Sequence, residues 1–332
     1  MKHTKRRLLA IGVALYIVAM LASHAMASRE EWDQMFRNGG ALGRVTLRVV
    51  DDKGIPVEGA HVVTGFEGTP KFTSISGDTN KEGTIVCEGR SIAHMTLTID
   101  KEGYYKTGKE HDFIRNAPSR EEAIVSGKWM PWNPTVIITL KKIRNPVPMY
   151  VKDVRAENVP CDRPFGFDLQ RGEPVVPPSR GAVADITFNI EVDPRYGRDT
   201  CTAGMSFTNE GDGILLLDRD PWSEFFFAYE APEDGYQKGV DANSLEELQK
   251  LAQRENRQQY FVLRVRSKTD PSGVIRGTYA KMWTTVSVGK DRLGKCWLSF
   301  SYWYNPNGTR NLEYNPRQNL FEHLSGGSPP YP

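Results

Sequence analysis

The chain has 332 residues, with 43 Lys and Arg against 41 Asp and Glu, 30 Gly, 21 Pro and 4 Cys. The net charge of +2 is small and its basic residues are interspersed with acids, so no nucleic-acid partner is expected. The length suffices for two cored domains, and the Gly and Pro content beside one clear helical stripe calls for mainly β structure.

The first residues read as an export signal. Lys2, Lys5, Arg6 and Arg7 form a basic head, Leu8 to Leu21 an apolar run, and Ala25-Met26-Ala27 a small-residue cleavage pattern, with the cut placed after Ala27. The competing reading is an uncleaved anchor. At about 14 apolar residues the run is shorter than the roughly 18 to 20 that a spanning helix needs. Removing the four basic residues leaves 39 basic against 41 acidic, a mature charge of −2, so the apparent basicity belongs to the leader. No membrane span is expected in the mature chain, and its place is periplasmic or secreted.

Residues 28–42 form a short lead-in with helical character, and 43–142 a first β-sandwich. In VTLRVVDDKGIPVEGAHVVTGF, Val45, Leu47 and Val49 alternate with Thr46 and Arg48, which makes one strand face apolar and the other wet. Asp52-Lys53-Gly54 breaks that strand, and Pro56 and Gly59 set the next entry. Met95, Leu97 and Ile99 repeat the pattern, and Thr135 to Leu140 closes the sandwich. Between Tyr105 and Trp129 a charged insertion is expected as an ordered loop.

Residues 143–182 are dense in proline, including Pro146, Pro148, Pro160, Pro164, Pro174, Pro177 and Pro178. Proline favours extended or turn backbone and removes ladder donors, so this stretch is expected as a connection packed on the second domain. That domain, 183–325, shows strand patterns at Ile186 to Val192, Met205 to Phe207, Ile214 to Leu217, Phe225 to Tyr229, Phe261 to Val265, Gly277 to Val288 and Trp297 to Tyr304. Asp270-Pro271-Ser272-Gly273 reads as a turn. One helix interrupts them, from a capping box at Ser244-Leu245-Glu246-Glu247 to about Asn256, with Leu245, Leu248 and Leu251 on one stripe. Residues 326–332 form a flexible tail. The fold class expected is mainly β, with two sandwich-type domains: the first immunoglobulin- or transthyretin-like, the second carrying one covering helix.

On VVDDKGIPVEGA (Val49 to Ala60), Thr79 to Gly83 and Gly103-Tyr104, the first domain resembles the carboxypeptidase regulatory-like family of exported bacterial proteins. The resemblance covers about 100 residues and implies a transthyretin-like sandwich. The second half, with PFGFDLQRGE and NPNGTRNLEYNP, looks like the companion region of bacterial proteins of this layout that have no assigned activity. Without a zinc peptidase domain, peptidase activity does not carry over.

Residue patterns that would carry chemistry are sparse. His61, His94, His111 and His323 show no metal-binding spacing, so no metal or other cofactor is expected. Asn209-Glu210-Gly211-Asp212-Gly213 resembles a calcium loop but lacks its alternating ligands, and reads as a turn. No Gly-x-Ser-x-Gly elbow occurs. Cys87, Cys161, Cys201 and Cys296 permit three full disulfide pairings, which stay open. Trp129, Trp132, Tyr302, Trp303 and Tyr304 are candidates for a ligand or partner surface, because flat rings on a sandwich stack on sugars. The competing reading is that they close the core. Phe225-Phe226-Phe227 suggests a strand covered on both sides. The expected function is a non-enzymatic interaction or structural module of the cell envelope, with an envelope protein or polysaccharide as partner. Carbohydrate binding through exposed aromatics and an unrecognised hydrolase in the second domain are the alternatives.

Overall fold

The computed structural model describes residues 29–175, 182–193, 200–255 and 259–321. The expected signal peptide with its cleavage after Ala27, Pro177 and Pro178, and the tail 326–332 lie outside them. The chain divides into two compact units that meet between Ile143 and Arg144. No helix of the described residues is long and apolar enough to cross a membrane.

The first unit opens with helix α1 (29–37), whose Met35 is buried in the unit's core beside the partly buried Trp32. The lead-in is thus part of the packed structure. Strand β1 (Ala41–Asp51) pairs antiparallel with β4 (Thr84–Ser91) and parallel with β9 (Thr135–Leu140). The second sheet runs β3-β2-β5-β6, with β2 at His61–Phe66, β3 at Thr73–Asp78, β5 at His94–Asp100 and β6 at Thr107–Asp112. The alternation expected in β1 and β5 is realised: Val45, Leu47, Val49, Met95 and Ile99 are fully buried, and Leu97 nearly so. Each presents a period-two apolar face to the core between the two sheets, whose burial drives the pairing. Asp51 sets the turn that follows by accepting the main-chain N–H groups of Lys53 and Ile55, while Gly54 takes the left-handed conformation at φ +78. The charged stretch 105–129 is more than a loop. It supplies β6 and the short pair β7 (Ile124–Val125) and β8 (Lys128–Trp129), because Thr107, His111 and Phe113 turn inward.

The second unit is built from two further sheets. One runs β15-β17-β18-β20-β10-β21, with β10 at Val147–Val159, β15 at Gly213–Asp218, β17 at Gln259–Thr269, β18 at Ile275–Trp283, β20 at Cys296–Asn305 and β21 at Tyr314–Asn319. The other runs β12-β11-β13-β14-β16: β11 at Phe165–Asp168, β12 at Glu173–Val175, β13 at Ile186–Asp193, β14 at Thr200–Ser206 and β16 at Gly239–Val240. Phe167, Phe188, Leu263, Met282, Leu298, Phe300 and Tyr302 are among the residues of their shared core.

Several sequence expectations are corrected here. The described residues of 143–182 are more than a connection: β10 lies inside the larger sheet between β20 and β21, and every residue of β11 is buried. Its prolines are compatible with this because Pro148 sits at the register break between Val147 and Met149, where a ladder donor is dispensable. The run Gly277 to Val288 is two strands. β19 (Ser287–Lys290) continues beside β20 after a break at Thr284 to Val286, and Gln249 donates its side-chain amide to the Thr284 and Val286 carbonyls there. Phe225 to Tyr229 is not a strand but part of a long irregular segment lying on the larger sheet. Helix α2 (Ala242–Glu255) starts before the expected box at Ser244, because Asp241 caps it by accepting the Ser244 N–H and hydroxyl at 3.0 and 2.7 Å. Leu245 is buried beneath it, whereas Leu251 is 42% exposed.

Cys161 and Cys296 form the disulfide, with their Cα atoms 5.9 Å apart, and Cys87 and Cys201 remain thiols. Burial pushes the Cys87 thiol up, out of the range of a reactive thiolate. The bridge ties the turn after β10 to the start of β20 and closes a loop of 135 residues. Replacing Cys161 by Ser is expected to lower stability by roughly 2–5 kcal/mol, read as a fall in the urea midpoint that dithiothreitol reproduces in the wild type.

His111 is 8% exposed and meets Phe113 edge-on at 4.8 Å. Burial holds its imidazole below the ordinary value of 6.5, with Asp112 opposing and Lys109 adding to the effect. A depressed folded-state value means that this stabilisation is complete above the unfolded value and is lost as pH falls below about 6.5 toward the folded one. Unfolding of the wild type from pH 7.5 to 5 is therefore expected to show a loss of stability that is smaller in His111→Gln. Parallel slopes in the two proteins would contradict it.

Candidate functional site

The most concentrated group of buried ionisable side chains is centred on Arg266. β17 carries a register break between Val265 and Lys268, and at this bulge Arg266 takes φ +55. Its Nε and Nη2 donate to the two oxygens of Asp185 at 2.8 and 2.9 Å, and Nη2 also reaches Asp168 Oδ1 at 2.9 Å. Nη1 donates to Gln170 Oε1 at 2.6 Å. Asp168 ends β11 and Asp185 immediately precedes β13, so one guanidinium ties the smaller sheet to the larger.

Both carboxylates are spent on the fold. Asp168 also accepts the main-chain N–H groups of Gln170, Arg171 and Val183, and Asp185 accepts that of Leu169. The hydrogen bonds that Arg266 donates to Asp185 hold its guanidinium more firmly protonated than usual, while burial pushes the Asp185 carboxyl up against that pull. These contacts commit the carboxylate oxygens to main-chain and arginine donors. The neighbouring Asn209 to Gly213 segment is also closed. Asp212 accepts the N–H groups of Arg266 and Ser267 at 3.0 and 2.7 Å, and the Lys238 ammonium is bound by the carbonyls of Asn209, Glu210 and Asp212. A lysine thus supplies the positive charge there. Among the described residues no group of three or more His, Cys, Asp or Glu is arranged to hold a metal.

The aromatic residues singled out from the sequence are mostly interior. Trp129 is 1% exposed in β8, donates its indole N–H to the Ser91 carbonyl and packs between Trp32 and Phe113. Tyr302 and Tyr304 face the shared core of the second unit, where their hydroxyls donate to the Leu169 carbonyl and to Thr278 Oγ1. Trp303 points to the opposite face of the same strand and is equally buried, against Phe227 and Trp283. Trp132 alone of the five is partly open, with the Lys128 ammonium 4.8 Å from its ring centre. The expected surface is therefore corrected to a core assignment for Trp129, Tyr302, Trp303 and Tyr304. For Trp303 the cause is the segment between β15 and β16, which lays Phe225 and Phe227 on the outer face of the sheet. Lys281 is fully buried there, its ammonium 3.9 Å from the Phe227 ring centre and within 5.4 Å of Phe225 and Trp303.

Two rings that sequence reasoning passed over are partly open, Trp222 at 43% and Trp297. Trp297 lies on the outer face of β20, directly opposite Gly289 of β19, and is 37% exposed. A Cβ on Gly289 would meet three indole atoms at 2.5 to 2.8 Å, so the ring lies across the glycine backbone. Only a glycine permits that approach. Ser299 and Ser301 continue the same face of β20, opposite Arg155 and Asp153 of β10, and Ser301 donates its hydroxyl to Asp153. A flat apolar ring beside a row of short hydrogen-bonding groups is the arrangement a pyranose ring needs. Pairing Trp297 with Gly289 requires knowing that the strand breaks at Thr284 to Val286.

No family model matches the chain, and no curated protein matches it. Among solved structures, a 3-chlorocatechol 1,2-dioxygenase from Rhodococcus opacus 1CP aligns at 14% identity, over 31% of this chain and 61% of that one, with a TM-score of 0.25. A DUF3823 family protein from Parabacteroides merdae aligns at 10% identity, over 68% and 91%, with a TM-score of 0.21. A shaft pilin from Lactobacillus rhamnosus GG aligns at 14% identity, over 75% and 90%, with a TM-score of 0.22. The chain spans about three fifths of the length of the dioxygenase. At these scores the likenesses assign neither a fold family nor an activity.

Arg266→Leu leaves Asp168 and Asp185 buried without their cation and is expected to destabilise by roughly 3–5 kcal/mol. Arg266→Lys removes the fork that reaches three side chains and should recover only part of that loss. Chemical denaturation of both variants checks the order.

Proposed function

We propose that this chain is an exported, non-enzymatic module of the cell envelope. In this reading the first unit is a scaffold of carboxypeptidase regulatory-like, transthyretin-like type, and the second unit makes the contacts. The observation that carries it is the closure of the Asp168–Asp185–Arg266 cluster. The acid pair most favourably buried for catalysis is bound to its own backbone and arginine. The export part rests on the basic head, the apolar run and the Ala25-Met26-Ala27 pattern.

The second reading, favoured by Trp297 on Gly289, is that the contact is with a polysaccharide. Stacking on one open indole face tolerates many sugars, and the polar row of Ser299, Ser301, Asp153 and Arg155 would set orientation.

Two measurements test these readings. Expressed in a bacterial host, the full chain should leave the cytoplasm and begin at Ser28 by N-terminal sequencing; retention of the leader contradicts export with cleavage. On columns of insoluble envelope or plant polysaccharide, Trp297→Ala should elute earlier than the wild type while unfolding at the same temperature. Hydrolysis of a peptide, ester or glycoside by the purified chain, abolished in Asp168→Asn, would overturn the non-enzymatic reading.

A further inference from the structure

The larger sheet of the second unit ends at β15, which pairs with β17 on one side and with no further strand among the described residues on the other. Its free side carries a single bridge, where Ile214 and Gln237 exchange both main-chain hydrogen bonds at 2.9 Å each. The main-chain polar groups of Ile214 therefore point away from β17. The two-residue repeat of a strand points those of Leu216 and Asp218 the same way. No main-chain group meets either of them there among the described residues. Native sheet edges are normally blunted by charge, proline or a bulge. β15 reads GILLLD, has none of these before Asp218, and leaves Leu215, Leu216 and Leu217 half-buried.

Beside this edge lies a cavity of about 370 Å³, walled by β15, β16 and helix α2. That is within the range of ligand sites. Leu216 and Phe261 line it from the sheet. They stand directly opposite in register, so their side chains share a face, and both belong to the margin of the core between the two sheets. Glu247, Leu248 and Leu251 line it from α2 at the spacing of one helix face. Leu248 packs on the same core, whereas Leu251, one turn further, is 42% exposed. The apolar stripe of the helix thus runs on past the surface that the sheets cover. Glu247 is the one charged side chain of this lining, and no ion pair holds it among the described residues; its neighbour Glu246 is paired with Lys250 at 2.8 Å.

An open strand edge beside an apolar cavity narrows what can fill it. A fatty acid would occupy the cavity, leave the main chain of Leu216 and Asp218 unmet, and bring its carboxylate toward Glu247. A second copy pairing edge to edge about a two-fold axis matches both open positions only by setting its own Asp218 opposite Leu216. That would place a carboxylate over an apolar cavity already holding Glu247. An extended peptide meets every requirement. Its main chain continues the sheet, the residue opposite Leu216 turns its side chain to the cavity face, and the residue two positions away stands opposite Asp218. We infer that β15 accepts an added strand from a partner protein: an extended segment with a bulky apolar residue opposite Leu216 and a Lys or Arg opposite Asp218. This depends neither on export nor on the Trp297 surface.

Panning a phage-displayed octapeptide library on the purified chain tests the inference. Enriched sequences are expected to carry a bulky apolar residue with Lys or Arg two positions away, and a synthetic enriched peptide should bind saturably in fluorescence anisotropy. Methylating the main-chain nitrogen of the apolar residue should abolish binding. Methylating that of the next residue, which points away from β15, should not. Leu251→Lys should weaken binding by about tenfold or more, and Asp218→Lys should exchange the basic preference for an acidic one. Both side chains are exposed, so both variants should keep the wild-type unfolding temperature. Trp297→Ala should bind the peptide as the wild type does. Failure to enrich any sequence of that spacing overturns the inference, as does a methylated peptide that binds as tightly as its parent or unchanged affinity in Leu251→Lys. A dimer in sedimentation that Leu251→Lys dissolves, or saturable binding of laurate with no peptide enriched, gives the edge another occupant and overturns it equally.

Discussion

Two-sided burial of the larger sheet in the second unit is the constraint on which the rest of that unit depends. β17, β18 and β20 carry large side chains on both faces. One face holds Leu263, Met282, Phe300 and Tyr302, the other Tyr260, Lys281 and Trp303. A strand of this kind is stable only if something apolar covers each side. The smaller sheet covers one, and the irregular segment after β15 covers the other with Phe225 and Phe227. The Arg266 cluster then ties the two sheets together at a bulge, where the ladder is already interrupted and the main chain can turn a guanidinium toward Asp168 and Asp185.

This arrangement decides which groups can meet a ligand. Side chains most reactive on paper, buried carboxylates and aromatic rings, are the ones the fold consumes. Asp168, Asp185 and Asp212 each accept main-chain N–H groups, so removing any of them would orphan donors as well as charge. Trp297, beside the glycine of β19, keeps part of its surface open.

The first unit is simpler. Its two sheets enclose a core in which Trp129 and Phe113 stack at 5.6 Å and Phe66 and Phe113 at 6.4 Å. Helix α1 contributes Met35 to the same core. The buried Thr79 hydroxyl is satisfied locally, donating to the Val57 carbonyl and accepting the Ala60 N–H.

Much of the strand content was legible in the chain. The alternation of Val45, Leu47 and Val49, of Met95, Leu97 and Ile99, and of Ile186 to Val192 states which face is apolar, because side chains on a strand have a period of two and water sorts them. The turns at Asp52-Lys53-Gly54 and Asp270 to Gly273 were equally local, since one Asp side chain captures N–H groups two and four residues on. Partnership across distance was not legible. Ser301-Tyr302-Trp303-Tyr304 reads the same whether its second face is wet or covered, and that depends on where Phe225 and Phe227 come to rest. Trp297 became an open ring only through its register with Gly289, and Asp168, Asp185 and Arg266 became one cluster only when two sheets closed. Local periodicity determined the elements of this protein; pairing and coverage, which depend on contacts between residues far apart in the chain, decided what each face does.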